Sequence, residues 1–327
     1  MTDYPVDDAT LMTFAGIAYG ALSKIPRYLK EATQIPEDWS YHWWPAGGQN
    51  PDNLAYIALN KKAGQAVVAI RGTYPNPFSP IYWENGKQDS PFGTMQPWEG
   101  SSTAKISEGT HTGYTNLIAL KNDAGLTLEA AIAALDPSVS VTVTGHSLGG
   151  TLTPVLALKL AQNEASRTVF SVSFAGMTPG NRAFAKLCGS TGPLAGKTRR
   201  VFNTIDSVSY GWNSVLATRK FFQPNPQGGW LVTLFLVFAW LRPKLGGYGY
   251  AAIGDSVPLK GSVKDPSKTG LVAFIVETLH QHMPDTYLSL LGAPPLPFSI
   301  LFGNVTVDRD AVTRSPASTS KIPVFHV

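Results

Sequence analysis

Cysteine is almost absent: one residue, Cys188, in 327. That excludes an intrachain disulfide and a cysteine-rich zinc site, so stability has to come from a large buried core. Cys188 itself reads as a small, inert, buried residue. Charge is scarce too, at 15% of side chains against about 25% in an average soluble domain. With 43% hydrophobic and 11% aromatic residues, the chain has ample apolar surface to fold, which argues against disorder. The formal charge of +4 is not gathered into any long basic stripe or run, so nucleic acid is not implied as a partner. No apolar run reaches the roughly 20 residues a bilayer-crossing helix needs, the longest being Trp230 to Leu241; no transmembrane segment is expected. No period of about 20 to 50 residues repeats. A secretory signal is not recognisable either, because Asp3, Asp7 and Asp8 precede the apolar stretch Leu11 to Leu22 where positive charge would belong. That stretch reads as a first helix with an aspartate at its start. A cytoplasmic location and export without a recognisable signal peptide are both compatible with this.

What is present is an alternation of strands and helices. Leu54 to Leu59, a turn at Asn60 to Gly64, and Ala66 to Ile70 form a hairpin pattern. The second half is a continuous apolar run, as in a strand buried on both faces. Helical patterns follow at Gly113 to Asn122 and Leu126 to Leu135. Strand patterns occupy Val139 to Thr144, Val169 to Ala175 and Arg199 to Thr204, with a helix at Leu148 to Gln162 between the first two. A further helix is expected over Leu271 to Leu279. This order predicts one α/β domain over residues 1–327, with a mostly parallel central sheet flanked by helices. Three regions stand outside that plan: a long proline-rich loop at 74–110, an apolar insertion at 213–258, and a tail at 293–327 without a clear element.

Gly145, His146, Ser147, Leu148 and Gly149 spell G-x-S-x-G. As bare letters the pattern is weak, but it directly follows a strand and opens a helix, the setting of a nucleophile elbow. Small residues are needed there because β-carbons beside so tight a turn would collide with the neighbouring elements. Ser147 then sits at a helix N-terminus, where unpaired N–H groups and the helix dipole favour negative charge. A serine needs a base, and the base needs a carboxylate to fix its tautomer. In the order nucleophile, acid, histidine, the base comes from His280 or His282, since His326 lies beside the C-terminus. The carboxylate is expected at Asp206, just past the strand ending at Thr204, with Asp255 and Asp285 as the other candidates. A metal site on His280 and His282 lacks a supporting cluster of His or Cys, and no metal or organic cofactor is expected.

At this point the sequence resembles the class 3 lipase family, the fungal-type triacylglycerol lipases of the α/β-hydrolase fold. The residues that carry the resemblance are Ile70-Arg71-Gly72-Thr73, His111-Thr112-Gly113-Tyr114, Gly145-His146-Ser147-Leu148-Gly149-Gly150, Phe174-Ala175-Gly176 with Pro179, Gly180 and Asn181, Val201-Phe202-Asn203-Thr204-Ile205-Asp206, and Gln281-His282 with Thr286-Tyr287-Leu288. The resemblance implies an α/β-hydrolase with lid-like insertions, Ser147 as nucleophile, Asp206 as acid and His282 as base. It also implies an oxyanion hole at Thr73 and at the N–H of Leu148, with Tyr74 and His146 lining the substrate site. His146, beside the nucleophile, is also read as structural support, as is His111. The expected reaction is hydrolysis of an apolar acyl ester or lipid, triacylglycerol above all. A phospholipase or general esterase with the same triad is the neighbouring reading, and a non-catalytic lipase-like binding protein the distant one.

Two segments bear on the substrate. Phe78, Tyr82, Trp83, Phe92 and Trp98 crowd the loop after Thr73, where the family holds its lid. The insertion from Phe221 to Leu241 carries only apolar and uncharged side chains. Read as a helix, its second half is apolar on every side, so it is expected either in the core or at a surface that transiently meets a lipid-water interface.

Overall fold

The computed structural model describes residues 3–47, 53–73, 86–90, 92–301 and 304–309. Its first part comprises α1 (Asp8–Ile17), α2 (Ile25–Glu31), β1 (Ser40–Trp43), β2 (Ala55–Asn60), β3 (Gln65–Ile70), β4 (Gln96–Pro97), β5 (Lys105–Ile106), α3 (Glu108–Ala119) and α4 (Leu128–Ala133). The middle holds β6 (Ser140–His146), α5 (Leu148–Asn163), β7 (Val169–Phe174), α6 (Arg182–Gly189) and β8 (Thr198–Asn203). After these come α7 (Gly229–Leu245), β9 (Asp255–Leu259), α8 (Gly270–His282), α9 (Pro284–Leu290), β10 (Phe298–Leu301) and β11 (Asn304–Asp308).

Among the described residues, seven strands form the main sheet in the order β1-β2-β3-β6-β7-β8-β9. The pairings β1–β2 and β2–β3 are antiparallel, and every pairing from β3 to β9 is parallel. This is the expected mostly parallel sheet flanked by helices. Ala66, Val68 and Ile70 join the core on one face, while Val67 and Ala69 join the core on the other. Burial on both faces is what the unbroken apolar run required, each large side chain contributing roughly 1.5–3 kcal/mol. Asp7 caps α1 by accepting from Thr10 N at 2.9 Å, satisfying one of the first-turn N–H groups. Cys188 is buried and free.

Several boundaries differ from expectation. Helix α3 begins five residues early, at Glu108, because Ser107 caps it by accepting from Thr110 N at 3.0 Å. The loop expected over 74–110 therefore contains the β4–β5 hairpin and the start of α3, and Trp98 is a core residue at 3% exposure; Phe78, Tyr82 and Trp83 lie outside the described residues. The insertion expected to run to residue 258 ends sooner, since β9 completes the sheet edge. The tail is not wholly irregular: β10 and β11 pair antiparallel, and Asp308 accepts from Tyr28 and Lys24 on the α1–α2 side.

The apolar insertion is helix α7, and it is not core. Only Leu236, Ala239 and Pro243 of this helix are buried, whereas Trp230, Leu234, Phe235 and Phe238 are 73%, 59%, 64% and 55% exposed. A 17-residue helix with one narrow buried edge leaves most of its apolar surface outside.

Candidate active site

Three loops leave the C-terminal ends of parallel strands on the same side of the sheet, where α/β folds place their chemistry. Strand β3 leads to Thr73, β6 to Ser147 and β8 to Asp206. The register sets Ile70 beside Gly145 and His146 beside Phe174, so the first two loops emerge side by side. Ser147 turns between β6 and α5 with φ 60° and ψ −126°, a conformation that L side chains seldom adopt and that persists only where the surroundings enforce it. Those surroundings are backbone. A β-carbon on Gly145 would lie 2.5 Å from the carbonyl of Gly149, and one on Gly149 would run into the carbonyl oxygen of Ile70. The N–H of Ser147 donates to Phe174 O at 3.0 Å, and its own carbonyl receives Thr151 N at 2.9 Å to open α5. Leu148 is the first residue of that helix and fully buried; first-turn N–H groups have no intrahelical acceptor.

The structure brings Ser147, His282 and Asp206 together. Ser147 Oγ lies 2.8 Å from His282 Nε2, and His282 Nδ1 lies 2.9 Å from Asp206 Oδ2. A carboxylate only accepts, so Nδ1 carries the proton and Nε2 is left to accept from the serine hydroxyl. Burial alone would lower the His282 pKa; the Asp206 carboxylate, its hydrogen bond and the charge of Asp89 outweigh that, and the net shift is upward. Asp206 is itself fully buried. Its Oδ1 accepts from Val208 N at 3.0 Å, and its Oδ2 also accepts from Tyr287 Oη at 2.7 Å and Ser209 Oγ at 3.1 Å. Buried carboxylates need such donors. Tyr287 is held in turn by Asn203 N at 3.0 Å, and burial followed by the Asp206 charge pushes its phenol well above its ordinary range.

His282 comes from the last residue of α8, which β8 grips through Asn203. The Asn203 Nδ2 donates to Gln281 O at 3.0 Å and Gln281 Oε1 at 2.7 Å. His280 lies on another side of the same helix, where burial and nearby Lys264 lower its pKa. Asp255 is exposed at the start of β9 and Asp285 pairs with Arg309, so neither meets the imidazole.

His146 needs a correction. It is 1% exposed and both ring nitrogens are engaged inside the protein: Nε2 lies 2.8 Å from His282 O, and Nδ1 lies 2.9 Å from Tyr19 Oη. Because a carbonyl only accepts, Nε2 donates and Nδ1 accepts from the tyrosine. No nitrogen is left for a substrate, and the ring props the backbone of His282. Burial first, then the charge of His282, hold His146 far below the ordinary imidazole range, which favours this neutral form. His111 is exposed on α3 rather than a buried support. Tyr74 lies outside the described residues.

Asp89 escaped the sequence reading. Thr73 Oγ1 donates to its Oδ2 at 2.9 Å, and its Oδ1 is buried without a hydrogen-bond partner among the described residues. Burial raises its pKa to about 7, against the opposing effects of the Thr73 hydrogen bond and the His282 charge. With Asp89 ionised, the Thr73 hydroxyl hydrogen is held by that carboxylate. The one signal in the sequence was an acid embedded in the aromatic loop after Thr73.

Chemically, the arrangement is a hydroxyl aligned on a neutral imidazole nitrogen, and an imidazole stabilised as a cation by a buried carboxylate. The family model for class 3 lipases matches residues 67–210, a span that holds Thr73, Ser147 and Asp206. A secreted alkaline triacylglycerol lipase of Penicillium cyclopium is 30% identical over 119 residues, covering 36% of this chain and 39% of that protein. The chain thus matches well under half the length of this relative. The crystal structure of M37 lipase superposes with a TM-score of 0.68 at 26% identity, covering 86% of this chain and 90% of that one. A triacylglycerol lipase of Penicillium expansum shares the fold, with a TM-score of 0.50 at 17% identity over 80% of this chain and 82% of its own. Taken with the strand order and the elbow, these likenesses show that the chain has the α/β-hydrolase fold, with residues 67–210 matching the class 3 lipase family.

Proposed function

We propose that the protein hydrolyses carboxylic esters with apolar acyl chains, triacylglycerols above all, through an acyl-enzyme on Ser147. The observation that carries this reading is the unbroken hydrogen-bond path from Asp206 through His282 to Ser147, at 2.9 and 2.8 Å.

Ser147 Oγ adds to the ester carbonyl carbon while its proton passes to His282 Nε2. Asp206 stabilises the resulting imidazolium and holds its orientation. The carbonyl oxygen becomes an oxyanion and is met by N–H groups of Thr73 and Leu148, each such donor supporting the transition state by on the order of 3 kcal/mol. The carbon–oxygen bond to the alcohol breaks, and His282 returns its proton to that oxygen. Water then loses a proton to His282, adds to the acyl carbonyl and displaces Ser147, which recovers its hydrogen as the fatty acid leaves.

Support for an apolar substrate comes from the surroundings. Exposed Leu271, Val272, Ile275, Val276 and Leu279 line α8, the helix that ends in His282, and exposed α7 precedes it. So much uncovered apolar surface is unusual for a protein that meets only water and suits transient contact with a lipid-water interface. Labelling of the intact protein by a fluorophosphonate probe, abolished in Ser147→Ala, tests the nucleophile. A hydrolysis panel over acyl lengths and headgroups tests the substrate class; a preference for polar, short acyl groups would refute it.

A further inference from the structure

Of 26 basic and 22 acidic side chains overall, residues 207–254 contain Arg219, Lys220, Arg242 and Lys244 and no acid. All four are exposed, and none makes an ion pair among the described residues. They flank the exposed apolar helix α7, Arg219 and Lys220 ahead of it and Arg242 and Lys244 in its last turn, with Lys244 Nζ 4.2 Å from the Trp240 ring centroid. Cations at a helix C-terminus favour its dipole, which accounts for two of them but not for the pair before the helix or for the bare apolar face between.

We propose that α7 and its four flanking cations dock the protein onto lipid surfaces that carry anionic headgroups. Exposed Trp, Phe and Leu side chains can enter the acyl-headgroup boundary, while Arg and Lys flanking the helix reach anionic headgroups, each worth about 1 kcal/mol. At 17 residues it is about 25 Å long, short of the roughly 30 Å hydrocarbon core, and no helix of the described residues is long and apolar enough to cross a membrane. It lies on the bilayer rather than through it. A second copy of the chain is a poor occupant, since pairing these faces would bring eight unpaired cations together.

The surface is tied to the active site. Phe92 packs edge-on against Phe238 at 5.8 Å between ring centroids, and Tyr248 Oη donates to Gly93 O at 2.7 Å. Those two residues follow shortly after Asp89, the partner of Thr73. On the other flank, Phe222 meets Phe274 of α8 at 5.4 Å. Docking through α7 thus brings the mouth of the site to the phase where the proposed substrate resides. The proposal draws its purpose, though not its physical basis, from the ester-hydrolase reading.

The test is flotation of the full-length Ser147→Ala protein with vesicles of phosphatidylcholine alone and of phosphatidylcholine mixed with phosphatidylglycerol. Each basic side chain near an anionic surface strengthens attachment about fivefold, so binding to the mixed vesicles should be tighter by more than about tenfold and should weaken steeply with salt. Replacing all four, as Arg219→Gln, Lys220→Gln, Arg242→Gln and Lys244→Gln, should erase the preference. The same four changes in the Ser147 protein should leave turnover of a dissolved short-chain ester unchanged. Phe235→Ser with Phe238→Ser should weaken binding to both vesicle types. Equal binding to neutral and anionic vesicles by the Ser147→Ala protein, without salt dependence, overturns the proposal and needs no further variant. A lipid-free dimer that the phenylalanine changes split would assign the face to a second copy, and overturns it too. Vesicle binding by a protein that hydrolyses no ester would defeat the enzyme reading alone; hydrolysis without anionic preference would defeat the docking alone.

Discussion

His146 Nε2–H reaches the carbonyl oxygen of His282 at 2.8 Å, so the residue beside the nucleophile holds the backbone of the base. With Tyr19 donating to its other nitrogen at 2.9 Å, the imidazole of His146 is a strut between the turn after α1 and the end of α8. Replacing it with Phe keeps the volume and removes both hydrogen bonds. Since a misplacement of about 1 Å can cost on the order of 100-fold, kcat should fall about 10- to 100-fold with little change in KM. Tyr19→Phe should show a smaller loss of the same kind. A soluble chromogenic ester and active-site titration check both.

Asp206→Asn should leave the fold intact and lower kcat by about 10⁴, because an amide can donate to Nδ1 and so select the wrong tautomer. Tyr287→Phe removes one of several donors to that carboxylate and should be milder, and the pH profile should move with it. Steady-state kinetics of the two variants side by side decide the order.

Activity should be lost on acidification through a pKa above the ordinary imidazole range. The working form of His282 is neutral at Nε2, and its pKa is raised by the Asp206 carboxylate, which together with Asp89 overrides the opposing effect of burial. Protonation therefore sets in at a higher pH than for a free histidine. In Asp89→Asn the second negative charge is gone, so the acidic limb of kcat/KM should shift to lower pH. A shift upward would show that the pair is wired differently.

Gly149→Ala should cost at least about 2 kcal/mol of stability, as an overpacking change whose new methyl meets the fixed carbonyl of Ile70. Urea unfolding measures it. On α7 the contrast is between two adjacent positions. Phe235→Ser, 64% exposed, should change stability by no more than about 0.5 kcal/mol. Leu236→Ala, 7% exposed, should cost about 2 kcal/mol or more.

How much of this was legible beforehand follows from the range of the interactions concerned. Ser147 could be read because its elbow is local: strand, tight turn and helix occupy consecutive residues. Asp206 was legible for a similar reason, as the acid just past a recognisable strand. Choosing His282 over His280 needed either the resemblance or the helix end itself. Strand β9 was missed because an edge strand containing Pro258 and several exposed residues lacks the apolar run of an inner strand. The exposure of α7 could not be read at all, since a helix apolar on every side has no sequence signal for which face meets solvent. Asp89 was hidden for another reason. Its meaning depends on Thr73, 16 positions earlier, and on His282, nearly 200 positions later, and no local pattern reports such a meeting.

The parallel register that sets Ile70 beside Gly145 and carries the ladder on to β8 makes turnover a gauge of folding. Thr73, Ser147, Asp206 and His282 are scattered over more than 200 positions, and no excised fragment can assemble them. During refolding, catalysis should therefore be the last signal to return, after ellipticity and tryptophan fluorescence have levelled off. A sample's specific activity then counts its completely closed molecules.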